Sequence, residues 1–244
     1  MNKFLDYNQL TLDLRKQYLD CVSTAFPQII LESELVKNLW VKVESYFPNY
    51  QRSFINENNK LLGVVNTIPF YWYKDLNDLP NDGWDWLMKK GIHDFENNIK
   101  PNSLGGLQII LTKENQGKGF SKLLIAEGRN IQKRNNLTNF VIPIRPTFKY
   151  KHPKMLMNDY INLKQNNKIF DPWIRTHVKS GAKVLKVCSN SMNVHGNVKM
   201  WEALAHKRIA KSGGYIIEGA LNPVTVNVAE DYGEYREENV WIFY

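Results

Sequence analysis

The stretch that decides the fold lies between residues 107 and 144. It contains LQIILT at Leu107–Thr112, QGKGFS at Gln116–Ser121, an amphipathic pattern over Ser121–Arg134, and FVIPI at Phe140–Ile144. The first and last are apolar runs of strand length, and the segment between the glycines and the last run has helical spacing. Because strand, turn, helix and strand follow one another in this order, the sequence predicts an α/β fold.

The glycine-bearing turn predicts an anion site. Glycines let backbone N–H groups converge on an anion, and the positive end of the following helix suits a pyrophosphate. The turn lacks the nucleotide P-loop pattern, and Lys122 stands where the third glycine of a dinucleotide-binding turn would fall. An ordinary tight turn between strand and helix is the alternative. The residues predicted to bind the ligand are Gln116, Gly117, Lys118, Gly119, Phe120 and Ser121.

Apolar spacing predicts the remaining elements of a single domain over residues 1–244. Two helices and a hairpin precede the central stretch, and one further helix lies between the hairpin and that stretch. Asp171-Pro172-Trp173 has the composition of a helix start. The predicted elements are helices over 9–26, 33–47, 84–95 and 198–204, the hairpin 51–55 with 61–68, and strands over 183–187, 193–195, 215–217, 224–228 and 240–243.

The net charge of +8 is concentrated in the centre of the chain. Residues 101–212 hold 20 Lys and Arg against 5 Asp and Glu, or +15. The first hundred residues hold 11 Lys and Arg against 13 Asp and Glu, and residues 213–244 hold 1 Lys or Arg against 6 Asp and Glu. A basic segment indicates an anionic partner such as a phosphorylated cofactor or an acidic protein, or else only a solubilising surface. No nucleic-acid-binding motif accompanies it, so we expect no nucleic-acid partner.

Composition excludes several other classes. Two cysteines, Cys21 and Cys188, are too few for a disulfide scaffold or a four-cysteine zinc site. The histidines have no metal-ligand spacing, so no metal is expected. No apolar run approaches ~18 residues, and Asp6 interrupts the start where a signal peptide needs its apolar region. These features predict a cytoplasmic protein that does not span a membrane.

The turn also carries a resemblance to a known family. Gln116, Gly119 and Ser121 occupy the fixed positions of Gln/Arg-x-x-Gly-x-Gly/Ala, the acyl-CoA pyrophosphate signature of the GNAT acetyltransferase superfamily, with Ser121 in place of Gly or Ala. The resemblance implies the GNAT acyl-CoA N-acyltransferase fold, a mixed central sheet flanked by helices. It also implies an enzyme that uses acetyl-CoA or another acyl-CoA as co-substrate.

Further stretches resemble one GNAT branch, which includes the GNAT-like loading domains of modular polyketide synthases. These domains transfer an acyl group from CoA to the phosphopantetheine thiol of an acyl carrier protein, and some have been assigned malonyl decarboxylation. The resemblance therefore implies an acyl carrier protein as a partner. An amine acceptor and a non-catalytic acyl-CoA-binding module remain alternatives. The matching stretches are NTIPFYW at 66–72, RPTFK at 145–149, FDPWIRTHVKSG at 170–181, SMNVHG at 191–196, GALNPV at 219–224 and ENVW at 238–241.

The resemblance also implies candidate site residues. His177 and Thr147 match the histidine and threonine tied to catalysis in the polyketide-loading branch, and histidine titrates near neutral pH. A structural role for each is the alternative. A backbone N–H on the fourth strand commonly stabilises the oxyanion in GNAT proteins, which points here to Ile109, Ile110 and Leu111. Arg145 is predicted to meet CoA phosphates or an acidic carrier, and Trp72 to line an acyl tunnel.

Overall fold

A nine-stranded mixed sheet forms the centre of the protein in a computed structural model that describes residues 2–244. Its strands are β1 (Lys3–Asp6), β2 (Gln51–Ile55), β3 (Leu61–Phe70), β4 (Ser103–Leu111), β5 (Asn139–Ile144), β8 (Lys183–Gly196), β9 (Gly213–Tyr215), β10 (Val224–Asn227) and β11 (Tyr232–Phe243). A separate two-stranded ribbon consists of β6 (Lys164–Gln165) and β7 (Lys168–Ile169). The main sheet runs β1-β2-β3-β4-β5-β11-β10-β9, and β8 pairs with β11. Only β4 and β5 are parallel.

Eight helices pack on this sheet within the described residues. They are α1 (Leu12–Ala25), α2 (Gln28–Leu31), α3 (Glu34–Tyr46), α4 (Gly83–Glu96), α5 (Ser121–Arg134), α6 (Met157–Ile161), α7 (Pro172–Lys179) and α8 (Val198–Ala205). The predicted α5 is confirmed at both ends. Side-chain caps explain where other helices begin: Ser33 accepts the N–H of Val36 at the start of α3, and Asp171 accepts those of Trp173 and Ile174 at the start of α7.

The helices divide between two faces of the sheet. Successive residues of a strand point to opposite faces, and the neighbours Val64 and Val65 of β3 belong to different buried clusters. Val65 packs with the residues of α5 and α7, and this side is called the α5 face. Val64 packs with α1, and Ile68, on the same side of β3, packs with α3 and α4. This second side is called the α3 face.

The sheet opens between β4 and β5. They pair at three positions only, from Ser103 with Asn139 to Gly105 with Val141. Beyond these, β4 follows β3 as far as Leu111, and β5 follows β11 as far as Ile144. The register of β4 shifts at Leu107, as in a β-bulge, and such bulges bend the strand that holds the extra residue. The resulting gap is called the wedge.

Several regions differ from the sequence prediction. The strand expected at 215–217 is β9, at Gly213–Tyr215, because this segment pairs with β10. The expected strands 183–187 and 193–195 are parts of one fourteen-residue strand, β8, because Cys188 and Met192 also pair with β11, on either side of a bulge. The last expected strand begins eight residues earlier than predicted, at Tyr232, because this segment pairs with β8 and β10. No helix among residues 2–244 is long and apolar enough to cross a membrane.

Candidate active site

One cavity of about 1710 Å³ fills the wedge and reaches both faces of the sheet. Leu124 and Trp173 line it from the α5 face, and Leu107 and Trp84 line it from the α3 face. This volume exceeds the ~300–1,000 Å³ of an ordinary small-molecule site, so two substrates have room to meet. It brings together most of the predicted site residues: Ile109, Ile110, Leu111, Gln116, Gly117, Ser121, Arg145, Thr147 and His177.

The predicted phosphate turn has the geometry of an anion site. Gly117 and Gly119 have φ of 77° and 80°, which favour glycine, and a Cβ on either would meet no atom within 4 Å. None of the main-chain amides from Gly117 to Ser121 donates to a protein acceptor within residues 2–244. The ring of Phe120 packs edge-on against Phe54, with centroids 5.7 Å apart, and anchors the turn. Five consecutive amides at the start of α5 thus remain available to an anion.

The remaining residues of the turn lie at the surface. Lys118 Nζ is 3.3 Å from Asn115 Oδ1, and the Lys118 side chain is exposed. Lys118, Gly119 and Phe120 do not border the cavity. The turn therefore forms the mouth of the cavity, where a phosphate group would meet solvent on one side.

The backbone of β4 presents donors to the wedge. The Thr112 N–H donates to Leu62 O of β3 at 3.1 Å. Because residues of an antiparallel pair alternate in the direction of their hydrogen bonds, the N–H of Ile110 also points to β3. Those of Ile109 and Leu111 point the other way, toward the side where β5 has separated. Of the three predicted oxyanion donors, Ile109 and Leu111 thus have the required direction.

His177 on α7 is fully buried and borders the cavity. Its Nδ1 lies 2.7 Å from the Tyr244 hydroxyl, and its Nε2 has no hydrogen-bond partner within residues 2–244. Burial lowers the pKa of His177 to about 3, in contrast to the near-neutral titration expected from the sequence, so the ring is neutral at physiological pH. Burial also raises the pKa of Tyr244, which keeps its proton. A Tyr244 hydroxyl that donates to Nδ1 leaves the ring proton on Nε2, which is then a hydrogen-bond donor.

Thr147 borders the same cavity from the loop that follows β5. Its side chain is exposed and makes no hydrogen bond to another described residue, and in particular none to His177. The two candidate catalytic residues, His177 and Thr147, therefore border the same cavity but form no hydrogen bond with each other.

Arg145 is held by a carboxylate. Its Nε lies 2.9 Å from Oε2 of Glu237, which is fully buried, and its Nη2 donates to Gly219 O. Glu237 also accepts hydrogen bonds from the Tyr235 hydroxyl and the Asn239 amide. Arg145 thus lines the cavity and, through its ion pair with Glu237, connects the end of β5 to β11. Glu237 was not predicted as its partner, although the stretch ENVW begins at the next residue.

Trp72 does not border the cavity, so the structure does not bring it together with the other predicted site residues. Its main chain exchanges hydrogen bonds with the side chain of Asn102, just before β4, where β4 and β5 are still paired. Its ring packs against Trp86 with centroids 5.4 Å apart, and its Nε1 donates to Asp75 O. The tryptophans that border the cavity are Trp40, Trp84 and Trp173.

The α3 face contributes a carboxylate that the sequence did not single out. Glu44 borders the cavity and is half-buried. Its Oε1 accepts the Trp40 Nε1–H at 2.8 Å, and its Oε2 accepts the Tyr7 hydroxyl at 2.9 Å. Burial raises the pKa of the Glu44 carboxyl, and these hydrogen bonds oppose the rise. In the sequence, Glu44 resembles any polar residue on the exposed side of an amphipathic helix.

Comparisons with known proteins agree with this geometry. No family model matches the chain. The chain is 25% identical over 249 residues to the arginine N-acetyltransferase avaD of Aspergillus versicolor. The match covers 91% of this chain and 85% of the relative.

Two solved structures share the fold. The loading GNATL domain of CurA from Lyngbya majuscula matches with a TM-score of 0.63 and 14% identity, over 100% of this chain and 97% of that one. The GphF GNAT-like decarboxylase, in complex with isobutyryl-CoA, matches with a TM-score of 0.51 and 11% identity, over 78% of this chain and 89% of that one. These two structures confirm the predicted GNAT fold. The predicted class, an acyltransferase of GNAT type, agrees with the curated relative, which by its name is an N-acetyltransferase.

Proposed function

We propose that this protein transfers an acetyl or other short acyl group from acyl-CoA to the amine of a small molecule. The observation that carries the proposal is the single cavity that begins at the phosphate turn, passes through the wedge and opens on the α3 face. Acyl-CoA would enter from the turn and the acceptor from the α3 face. The curated relative, which by its name acetylates arginine, supports an amine as the acceptor.

Each part of the cavity supplies a function for this reaction. The five amides from Gly117 to Ser121 would bind the pyrophosphate of CoA, and the pantetheine arm would extend along the open edge of β4. The amine nitrogen attacks the thioester carbonyl carbon, so that an N–C bond forms and the C–S bond breaks. The proton that the amine loses is taken up by the departing thiolate. The N–H of Ile109 or Leu111 and the Nε2–H of His177 are the candidate donors to the oxyanion.

A carrier-protein thiol is the second candidate acceptor. It is favoured by the likeness to the CurA loading domain over the whole chain and by the position of His177 and Thr147 at one cavity. In that reaction the thiol of phosphopantetheine replaces the amine as the nucleophile. Malonyl decarboxylation would precede it only if malonyl-CoA is the donor: the bond to the carboxylate breaks, CO₂ leaves, and the α-carbon takes up a proton from solvent.

One experiment separates these functions. Purified protein is incubated with acetyl-CoA and, in parallel, with arginine, with other primary amines, or with a holo acyl carrier protein, and the products are identified by mass spectrometry. We expect an acetylated amine and stoichiometric release of CoA thiol. Acetyl thioester on the carrier without any acetylated amine would favour the second candidate. Binding of CoA without transfer to any acceptor would contradict both and indicate a non-catalytic module. Release of CO₂ from malonyl-CoA, lost in His177→Ala, tests decarboxylation.

A further inference from the structure

The α3-face end of the cavity contains a carboxylate, Glu44, that forms no ion pair in the described part of the chain. Within residues 2–244, no lysine, arginine or histidine nitrogen forms an ion pair with Glu44. The nearby cation, Arg15, stacks over the ring of Tyr7 at 4.9 Å and donates its Nε–H to Leu10 O instead. The two groups that contact the carboxylate, Tyr7 and Trp40, are neutral donors. They fix its orientation, and the positive charge of Arg15 acts on the carboxylate only from a distance, without an ion pair.

Two other acidic residues border the cavity, and they differ from Glu44. Glu32 is paired with Lys37 at 2.7 Å. Glu218 also forms no ion pair in the described part of the chain, but it is exposed to solvent, where a single ion pair contributes only ~0–1 kcal/mol. Glu44 is therefore the carboxylate whose half-buried position makes a cationic ligand most favourable.

Aromatic rings surround the same end of the cavity. Trp40 and Trp84 both border it, with ring planes 6° apart and centroids separated by 6.4 Å. Trp84 is fixed by a hydrogen bond from its Nε1 to Leu107 O, at the bulge of β4. Indole rings attract cations through the negative potential of their faces. A carboxylate fixed by one indole, with a second indole parallel to the first, has the chemistry of a site for an ammonium or guanidinium group.

We propose that Glu44, with Trp40 and Trp84, binds a cationic group of the acceptor that is not the group that is acylated. This inference rests on the proposed amine acylation. An amine must be unprotonated to attack a thioester, whereas a carboxylate keeps a bound ammonium or guanidinium protonated. The reacting amine lies in the wedge beside β4, so the cation on Glu44 is a second basic group. The acceptors of this class are dibasic: basic amino acids, and diamines or guanidino amines.

The test compares acceptors with one and two basic groups in the wild type and in Glu44→Gln. With acetyl-CoA saturating, agmatine and arginine are the dibasic probes, and butylamine is the monobasic probe. A charge-assisted contact contributes ~1.5–3 kcal/mol, so we expect the KM for agmatine to rise about 10- to 100-fold in Glu44→Gln. The KM for butylamine and for acetyl-CoA should change less than about threefold. Glu218→Gln is the matched control and should leave the agmatine KM unchanged.

Calorimetry keeps the site testable if the protein transfers to no amine. Agmatine is titrated into protein saturated with CoA, and we expect binding to the wild type that is lost in Glu44→Gln and kept in Glu218→Gln. Agmatine binding without acyl transfer would support the cation site and contradict the proposed function. An agmatine KM or dissociation constant that is the same in Glu44→Gln, in a variant that still binds CoA, would overturn the site. So would a loss that occurs in Glu218→Gln instead.

Discussion

Replacement of Gly119 by aspartate is expected to weaken the binding of CoA at least about 100-fold. The change places a carboxylate on the turn whose free amides would hold the pyrophosphate, at a position where a Cβ meets no atom within 4 Å. It also forces a side chain onto a residue whose φ is 80°. The carboxylate repels the pyrophosphate, and each charge-assisted hydrogen bond that is lost costs a further ~1.5–3 kcal/mol. Because ~1.4 kcal/mol corresponds to a tenfold change in affinity, the total reaches at least about 100-fold.

The dissociation constant of CoA, from calorimetry, checks this expectation. Gly213→Asp is the matched control, because Gly213 also has a positive φ and open space around it but lies in β9, outside the cavity. It should bind CoA like the wild type. Gly119→Ala separates backbone strain from charge and should show a smaller loss. Wild-type affinity in Gly119→Asp would show that the turn does not bind CoA.

His177→Ala is expected to lower kcat about 100- to 1,000-fold, the effect of removing one oxyanion donor. The KM for acetyl-CoA should change little, because in the proposed reaction the ring would contact the reacting end of the substrate and not the phosphates. The pKa of about 3 means that His177 is neutral both at pH 5 and at pH 8. The pH profile of kcat in the wild type should therefore show no step near 6.5 that disappears in the variant.

Two further variants separate catalysis by His177 from a structural role. His177→Gln keeps an N–H donor and should retain more activity than His177→Ala. Tyr244→Phe removes the hydroxyl partner of Nδ1 and should lower kcat less than His177→Ala does. Thermal unfolding and CoA affinity serve as controls for folding. Normal turnover in a folded His177→Ala would contradict the assignment, as would a loss of turnover that only accompanies loss of CoA binding.

The sequence predicted those features that depend on neighbouring residues. The turn and α5 follow from two glycines and an apolar spacing within about twenty residues, and the start of α7 follows from Asp171 and Pro172. In contrast, β8 appeared as two short strands because its polar middle lacks the apolar signal. That segment belongs to a strand because β11 lies beside it. The sequence of one strand does not reveal which distant strand it pairs with.

The candidate site was predicted only in part for the same reason. The residues on or just beyond β4, β5 and α7 were identified through the resemblance, and the cavity brings most of them together. Trp72 was grouped with these residues because an aromatic stretch does not reveal which end of β4 separates from β5. Glu44 was missed because its significance depends on Tyr7 and Trp40, which come from different elements and hold the carboxylate without an ion pair.

The measurement that tests the central claim most directly is amide hydrogen exchange with and without CoA. If CoA lies in the wedge with its pyrophosphate on the turn, exchange should slow at the amides of Gly117–Ser121 and at those of Ile109 and Leu111. Exchange at Gly213–Tyr215, in β9, should not change. Saturating CoA that protects another surface, and leaves the turn and the open edge of β4 unprotected, would contradict the account.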